Sequence, residues 1–189
     1  RSVTGVQTCA LPISLALARE AQALEPAAPG PSLLALQMLK QRPEAEGVVL
    51  DYLRQDKAEP QIRLAFVREL TSAQRYPDAV AQLETLTRQQ PELAPPFLSL
   101  GALYLELKQP REGEAALLRY IDLAQKSAGA PQAPADAADD DDDDDTPARP
   151  EQGLTQAWLM LAQSAEQRGD FPAAERHLGK IDDPQRALE

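Results

Sequence analysis

Apolar residues recur along most of this chain at three- and four-residue intervals, the period of one buried face of an α-helix. The clearest stretch starts near Thr155. There Trp158, Leu161, Ala162, Gly169, Phe171 and Ala174 fall at spacings of 3, 4, 11, 13 and 16 from the tryptophan. The pattern predicts a first helix, a tight turn at Gly169-Asp170, and a second helix opened by small residues. Ala162 and Ala174 let the two helices approach closely, and Gly169 can take positive φ at little cost where the chain reverses. Moved back so that its tryptophan falls on Phe97, the same template also meets Leu100, Gly101, Tyr104, Gly113 and Leu117. A further copy falls on Phe66, Val67, Leu70, Tyr76, Ala79, Leu83 and Pro91. Ala79 precedes Gly113 by one period of about 34 residues, within the range that marks repeat architectures. Pro91 sits where a second helix has to end, because proline cannot continue one.

Two weaker units precede these. Pro31–Lys40 and Pro43–Gln55 read as a degenerate hairpin whose apolar stripe is Leu33, Leu34, Met38, Val48, Val49 and Leu53. Residues 14–26 (SLALAREAQALEP) read as a lone second helix closed by a proline.

These residues and their repeat offset resemble the tetratricopeptide (TPR) repeat of bacterial type. The resemblance implies an all-α, right-handed superhelical solenoid of stacked antiparallel helix pairs. Single repeats of this kind cannot bury their apolar faces alone, so neighbours stack. The expected divisions are a partial repeat at 14–26, a degenerate one at 28–59, repeats at 60–93 and 94–127, and a last repeat from 154. The solenoid reads as incomplete at both ends. The opening stretch Val3–Ile13 resembles a translated sequencing-adapter oligonucleotide, so residues 1–13 are set aside as non-native, and Cys9 with them. The closing PQRALE reads as the start of another helix.

Between 128 and 153 the repeat pattern breaks into an Ala/Pro/Asp-rich stretch. Prolines 131, 134, 147 and 150 interrupt any continuous helix, and Asp139–Asp145 places seven carboxylates side by side. The composition predicts a disordered insertion between two repeats. A calcium loop needs carboxylates at alternate positions, a glycine and a closing glutamate, which this run does not supply.

The net charge is −11, and the aspartate run carries seven of those charges, so the rest of the surface is only mildly acidic. No basic stripe of the kind that tracks a phosphate backbone is present, so nucleic acid is not an expected partner. No apolar run reaches the roughly 20 residues that cross a bilayer. The absence of asparagine and the preference for arginine over lysine point to a GC-rich bacterial genome. Catalytic signatures are missing: there is no G-x-S-x-G around a serine, no phosphate-binding glycine loop, and a single histidine, His177. The chain reads as a non-enzyme without cofactor or metal.

In TPR arrays the first helices line the concave side, and repeat positions 2, 5, 9, 12 and 13 point into it. Carried over, position 5 is Leu64, Leu98 and Leu159; position 9 is Arg68, Ala102 and Gln163; position 12 is Thr71, Leu105 and Glu166; position 13 is Ser72, Glu106 and Gln167. The family's basic clamp for a terminal carboxylate is not matched, since leucines hold position 5. The resemblance therefore implies a scaffold or assembly factor that holds an apolar protein segment, with Leu64, Leu98 and Leu105 as floor and Arg68 at the rim. The competing reading is that these leucines pack between repeats. The signature residues Ala79, Pro91, Gly101, Tyr104, Trp158, Gly169, Phe171 and Ala174 are expected to be structural. Similar long bacterial proteins favour a periplasmic or envelope location over the cytoplasm. A recruiting arm of an enzyme and a structural spacer are the alternative roles.

Overall fold

The computed structural model describes residues 7–55, 58–128 and 150–182. Among these the chain is all helical, with no strand: α1 (Gln7–Leu24), α2 (Gly30–Met38), a 3-10 turn (Pro43–Ala45), α3 (Glu46–Leu53), α4 (Pro60–Ser72), α5 (Tyr76–Gln89), α6 (Pro95–Glu106), α7 (Pro110–Ala128), α8 (Pro150–Gln167) and α9 (Phe171–Asp182). They form two compact units divided after Leu86.

Proline opens four of these helices. Pro60, Pro95, Pro110 and Pro150 each stand at the first helical residue. A first-turn proline loses nothing, because its missing N–H would have had no intrahelical partner and its φ is already helical. The ends are closed by the backbone. The N–H of Gln74 donates to Thr71 O (2.9 Å) and that of Arg75 to Leu70 O (2.9 Å). Lys108 and Gln109 donate in the same way to Leu105 and Tyr104, and Gly169 and Asp170 to Glu166 and Ala165. This is the Schellman closure, which requires a left-handed residue at its pivot. The pivots are Gln74 (φ 59°), Lys108 (φ 60°) and Gly169 (φ 76°). Gln74 and Lys108 stand at the same place in successive repeats, with the same spacing as Ala79 and Gly113. Asp170 also caps α9, its Oδ1 accepting the N–H of Ala173 at 3.1 Å.

In the first unit, α1 packs on α2 and α3, and both of those meet α4. The core is Val48, Val49, Tyr52, Leu53, Ile62, Phe66 and Leu70, joined by Ala79, Leu83 and Leu86 of α5. Each large side chain buried here contributes roughly 1.5–3 kcal/mol. Arg63 crosses this core at only 5% exposure. Its Nη2 donates to Leu53 O at the end of α3 (2.7 Å) and its Nη1 to Gln82 Oε1 on α5 (2.6 Å). One guanidinium thus joins three helices and satisfies a terminal carbonyl of α3. Burial pulls its pKa below the ordinary arginine value. At the opposite end of α3, Glu46 accepts two bonds from Arg75 (2.7 and 2.9 Å), and Asp78 takes the third (2.7 Å).

In the second unit, α6 pairs with α7 and α8 with α9, and α8 lies against both α6 and α7. Gly101 and Gly113 face each other across the α6–α7 crossing. A Cβ on either would stand 3.2 or 3.1 Å from the carbonyl oxygen of the other, so the two backbones touch. Leu117, Tyr120, Ile121, Ala124, Ala157 and Leu161 form the core between α7 and α8. Glu114 reinforces that joint, accepting from Ser164 Oγ (2.8 Å) and pairing with Arg168 (2.7 Å).

Three sequence readings are revised in detail. The lone helix expected from residue 14 begins at Gln7, so the boundary at 13/14 is not a break in structure. In α2 the buried residues are Pro31, Ser32, Ala35, Leu36 and Met38, while Leu33 and Leu34 face outward. The insertion expected over 128–153 is bounded by α7, which reaches Ala128, and by α8, whose first turn is 150–153. Its remaining residues, the aspartate run among them, and the closing PQRALE lie outside the described residues.

Gln74→Gly and Lys108→Gly should each raise stability by about 0.5–1 kcal/mol, because glycine occupies the left-handed pivot without strain. Gly169→Ala should lower it by about 1 kcal/mol. Urea denaturation of the three variants measures this, and a loss of stability for both glycine substitutions would contradict the assignment of the pivots.

Candidate functional site

The first helices present the surface on which a partner segment was expected. In the second unit α6 and α8 are direct neighbours, and in the first α2 and α4 are. The two units carry separate parts of the expected set.

In the second unit, Leu98 and Leu105 are half-buried and pack against the α7–α8 core. Leu105 lies against Gly113, which has no side chain to exclude it. Its Cγ and Cδ2 lie 2.9 Å from where a Cβ on Gly113 would be. Ala102 is half-buried beside them, and Gln163 is exposed on α8. Leu159 differs from the other two position-5 leucines, being 54% exposed. With Ala162, Gln163, Glu166, Ala174 and Leu178 it lines a shallow pocket of about 230 Å³ between α8 and α9.

In the first unit, Leu64 is half-buried, Arg68 is exposed, and the Thr71 hydroxyl donates back to Val67 O (2.9 Å) within α4. Arg68 lines a pocket of about 320 Å³ together with Leu33, Leu36 and Gln37 from α2 and Ala65 and Glu69 from α4. Leu33 and Gln37 were absent from the expected set. The cause is register. Pro31, Ser32, Ala35 and Leu36 are buried in α2 as Ile62, Arg63, Phe66 and Val67 are in α4, and this offset is shorter than the one that relates Ala79 to Gly113. Under the shorter offset Leu33 takes the place of Leu64 and Gln37 the place of Arg68.

The signature residues occupy varied positions. Ala79, Gly101 and Ala174 are buried; Tyr104 and Trp158 are half-buried; Phe171 is 64% exposed. Pro91 lies in the turn after α5, where its carbonyl accepts from Arg119 Nη2 (3.2 Å). Trp158 stacks on His177 of α9, with ring centroids 5.6 Å apart and planes 25° from parallel. Burial is the chief cause that holds the His177 pKa below its ordinary value, aided by Arg176 and Arg168 and opposed by Glu114 and Asp170. Among the described residues no cluster of His, Cys, Asp and Glu could hold a metal ion, and no helix is long and apolar enough to cross a membrane.

No protein-family model matches the chain, and no curated protein matches it. Among solved structures it is similar to the crystal structure of MamA, with a TM-score of 0.60 and 11% sequence identity, covering 88% of this chain and 84% of that one. Identity at that level speaks to fold alone. It agrees with the paired helices described above, and the fold is a TPR-like all-α solenoid.

Because the folded state holds His177 below its unfolded pKa of about 6.5, the unfolded chain takes up protons more readily as pH falls. The contribution of this site to stability is complete above about pH 6.5 and is lost as pH falls through the folded-state pKa. His177→Phe keeps a ring against Trp158 and removes the titration. Urea midpoints compared between about pH 7.5 and about pH 5.5 should fall for the parent chain and change less for the variant.

Proposed function

We propose that this chain is a protein–protein interaction scaffold that holds an apolar segment of a partner against its first helices. The supporting observation is the exposed apolar surface on a TPR-like frame: Leu159 above the α8–α9 pocket, and Leu33 beside Arg68 in the α2–α4 pocket. Solvent-facing leucines set among polar neighbours suit an amphipathic partner, whose apolar face they cover while Arg68, Gln37 and Gln163 meet its polar edge. In this reading the weight of the expected floor moves to the exposed leucines. Its support is that Leu98 and Leu105 pack against the core while Leu159 and Leu33 are exposed.

Two classes of substitution separate these roles. Leu98→Ser should cost about 1–2 kcal/mol in urea denaturation, since it opens a partly buried apolar contact. Leu33→Ser and Leu159→Ser should each change stability by less than about 0.5 kcal/mol. Peptides selected against the parent chain from a random display library should be enriched in apolar residues at helical spacing. Their affinity should drop about tenfold on Leu159→Ser or Leu33→Ser, a loss of about 1.4 kcal/mol. Binding unaffected by both substitutions would refute the reading.

A further inference from the structure

Arg63 bridges the end of α3 and the flank of α5, and the corresponding place one repeat earlier is built without an arginine. The shorter offset that carries Ser32 onto Arg63 also carries α3 onto α5: Val48, Val49 and Tyr52 are buried as Ala79, Val80 and Leu83 are. Both acceptors of the Arg63 guanidinium therefore have counterparts. Leu53, whose carbonyl takes Nη2, corresponds to Gln22, and Gln82, whose amide oxygen takes Nη1, corresponds to Asp51. Ser32 itself is 0% exposed, and its hydroxyl has no hydrogen-bond partner among the described residues.

Gln22 and Asp51 line an open pocket of about 460 Å³ between α1 and α3, with Pro26, Gly47 and Gln55 around it. Its chemistry suits a cation. The residue four beyond Gln22 is Pro26, which has no N–H to give the Gln22 carbonyl its helical bond. The end of α1 is the negative pole of an 18-residue helix, and its last turn holds no basic residue. The last turn of α3 holds none either, and there Arg63 supplies the cation from α4. Asp51 brings a full negative charge where Gln82 offers a neutral oxygen, and it shares that charge with the exposed Arg54. Arg19 also lines the pocket and opposes a cation, but it is exposed and its Nη2 donates to Glu44 O (3.2 Å). The side-chain amides of Gln22 and Gln55 donate to Val48 O and Pro26 O, so the two walls are tied together and the pocket is pre-formed.

We propose that this pocket receives an arginine side chain of a protein partner, whose guanidinium donates to Gln22 O and the Asp51 carboxylate as Arg63 donates to Leu53 O and Gln82. A planar fork serves two acceptors on different helices better than a single ammonium does. The pocket belongs to α1 and α3, whereas Leu33 and Arg68 belong to α2 and α4, so the first unit offers a basic residue a place of its own. Only the source of the arginine rests on the scaffold reading.

Amide NMR of the full chain, titrated with N-acetyl-arginine amide, tests this. Saturable shifts are expected at Ala23, Gly47, Asp51 and Gln55. Asp51 is exposed, so Asp51→Asn leaves the core intact, and it should weaken binding about threefold by removing the charged acceptor. Arg19→Gln should tighten binding about twofold, because a like charge leaves the rim. Ser32→Arg, which extends a guanidinium of the chain's own toward the same acceptors, should abolish the shifts. Absence of saturable shifts in the parent chain overturns the proposal. Equal shifts from N-acetyl-citrulline amide, which has the shape without the charge, overturn it too. So does binding of N-acetyl-glutamate that Arg19→Gln abolishes, since the pocket would then hold an anion. Free arginine bound more than about tenfold tighter than the blocked amide would make this a small-molecule site and overturn the assignment to a partner. Loss of display-peptide binding on Leu33→Ser or Leu159→Ser bears only on the scaffold reading, so the two can fail separately.

Discussion

A helix hairpin of this length cannot bury its apolar stripe by itself, and its two helices must first be brought into contact before it can stack on another. That contact depends on how sharply the chain reverses. Three turns achieve it with the same pair of backbone bonds around one left-handed residue. Only one of those residues is glycine. At Gln74 and Lys108 the strain of positive φ is carried by ordinary side chains, so tertiary packing overrides local preference there. Once the reversal is set, the spacing of small residues follows. Gly101 faces Gly113 where α6 crosses α7, and Ala173 and Ala174 meet Ala165 where α8 crosses α9.

The two units use polar chemistry in different ways. The first is bound through arginines that reach across helices, Arg63 to the end of α3 and Arg75 to its start. The second relies on close backbone contact and on Glu114, which gathers the Ser164 hydroxyl of α8 and the guanidinium of Arg168 just past its end. Exposed ion pairs such as Asp122 with Lys126 add little to either, because solvent screens them. The partly buried contacts of Glu46 and Glu114 fix register at the turns where one helix hands over to the next.

Much of the fold was legible in the sequence because α4 to α7 keep one period and α8 and α9 repeat its template beyond the insertion. Phe66, Leu100 and Leu161 hold equivalent buried places, and glycines and prolines mark the turns and starts. The period fails at α2, whose following turn uses a 3-10 segment from Pro43 and no left-handed pivot. With no landmark there, Leu33 and Leu34 read as core when they are not. Repeat numbering gave the direction of Leu98, Leu105 and Leu159 but not their depth. Depth depends on what lies beneath, and the bare backbone of Gly113 makes room for Leu105. The stack of Trp158 on His177 joins residues on different helices, and no spacing within one helix reveals it.

The guanidinium of Arg63 has a thermal consequence. It is a nearly buried cation held by two neutral acceptors, a main-chain carbonyl and an amide oxygen. The penalty for removing such a charge from water shrinks as temperature rises, because ionic hydration carries a strongly unfavourable entropy. Apolar burial gains no comparable advantage from heat. The anchor that joins α3, α4 and α5 therefore weighs least against folding when the chain is warm, and most against it in the cold.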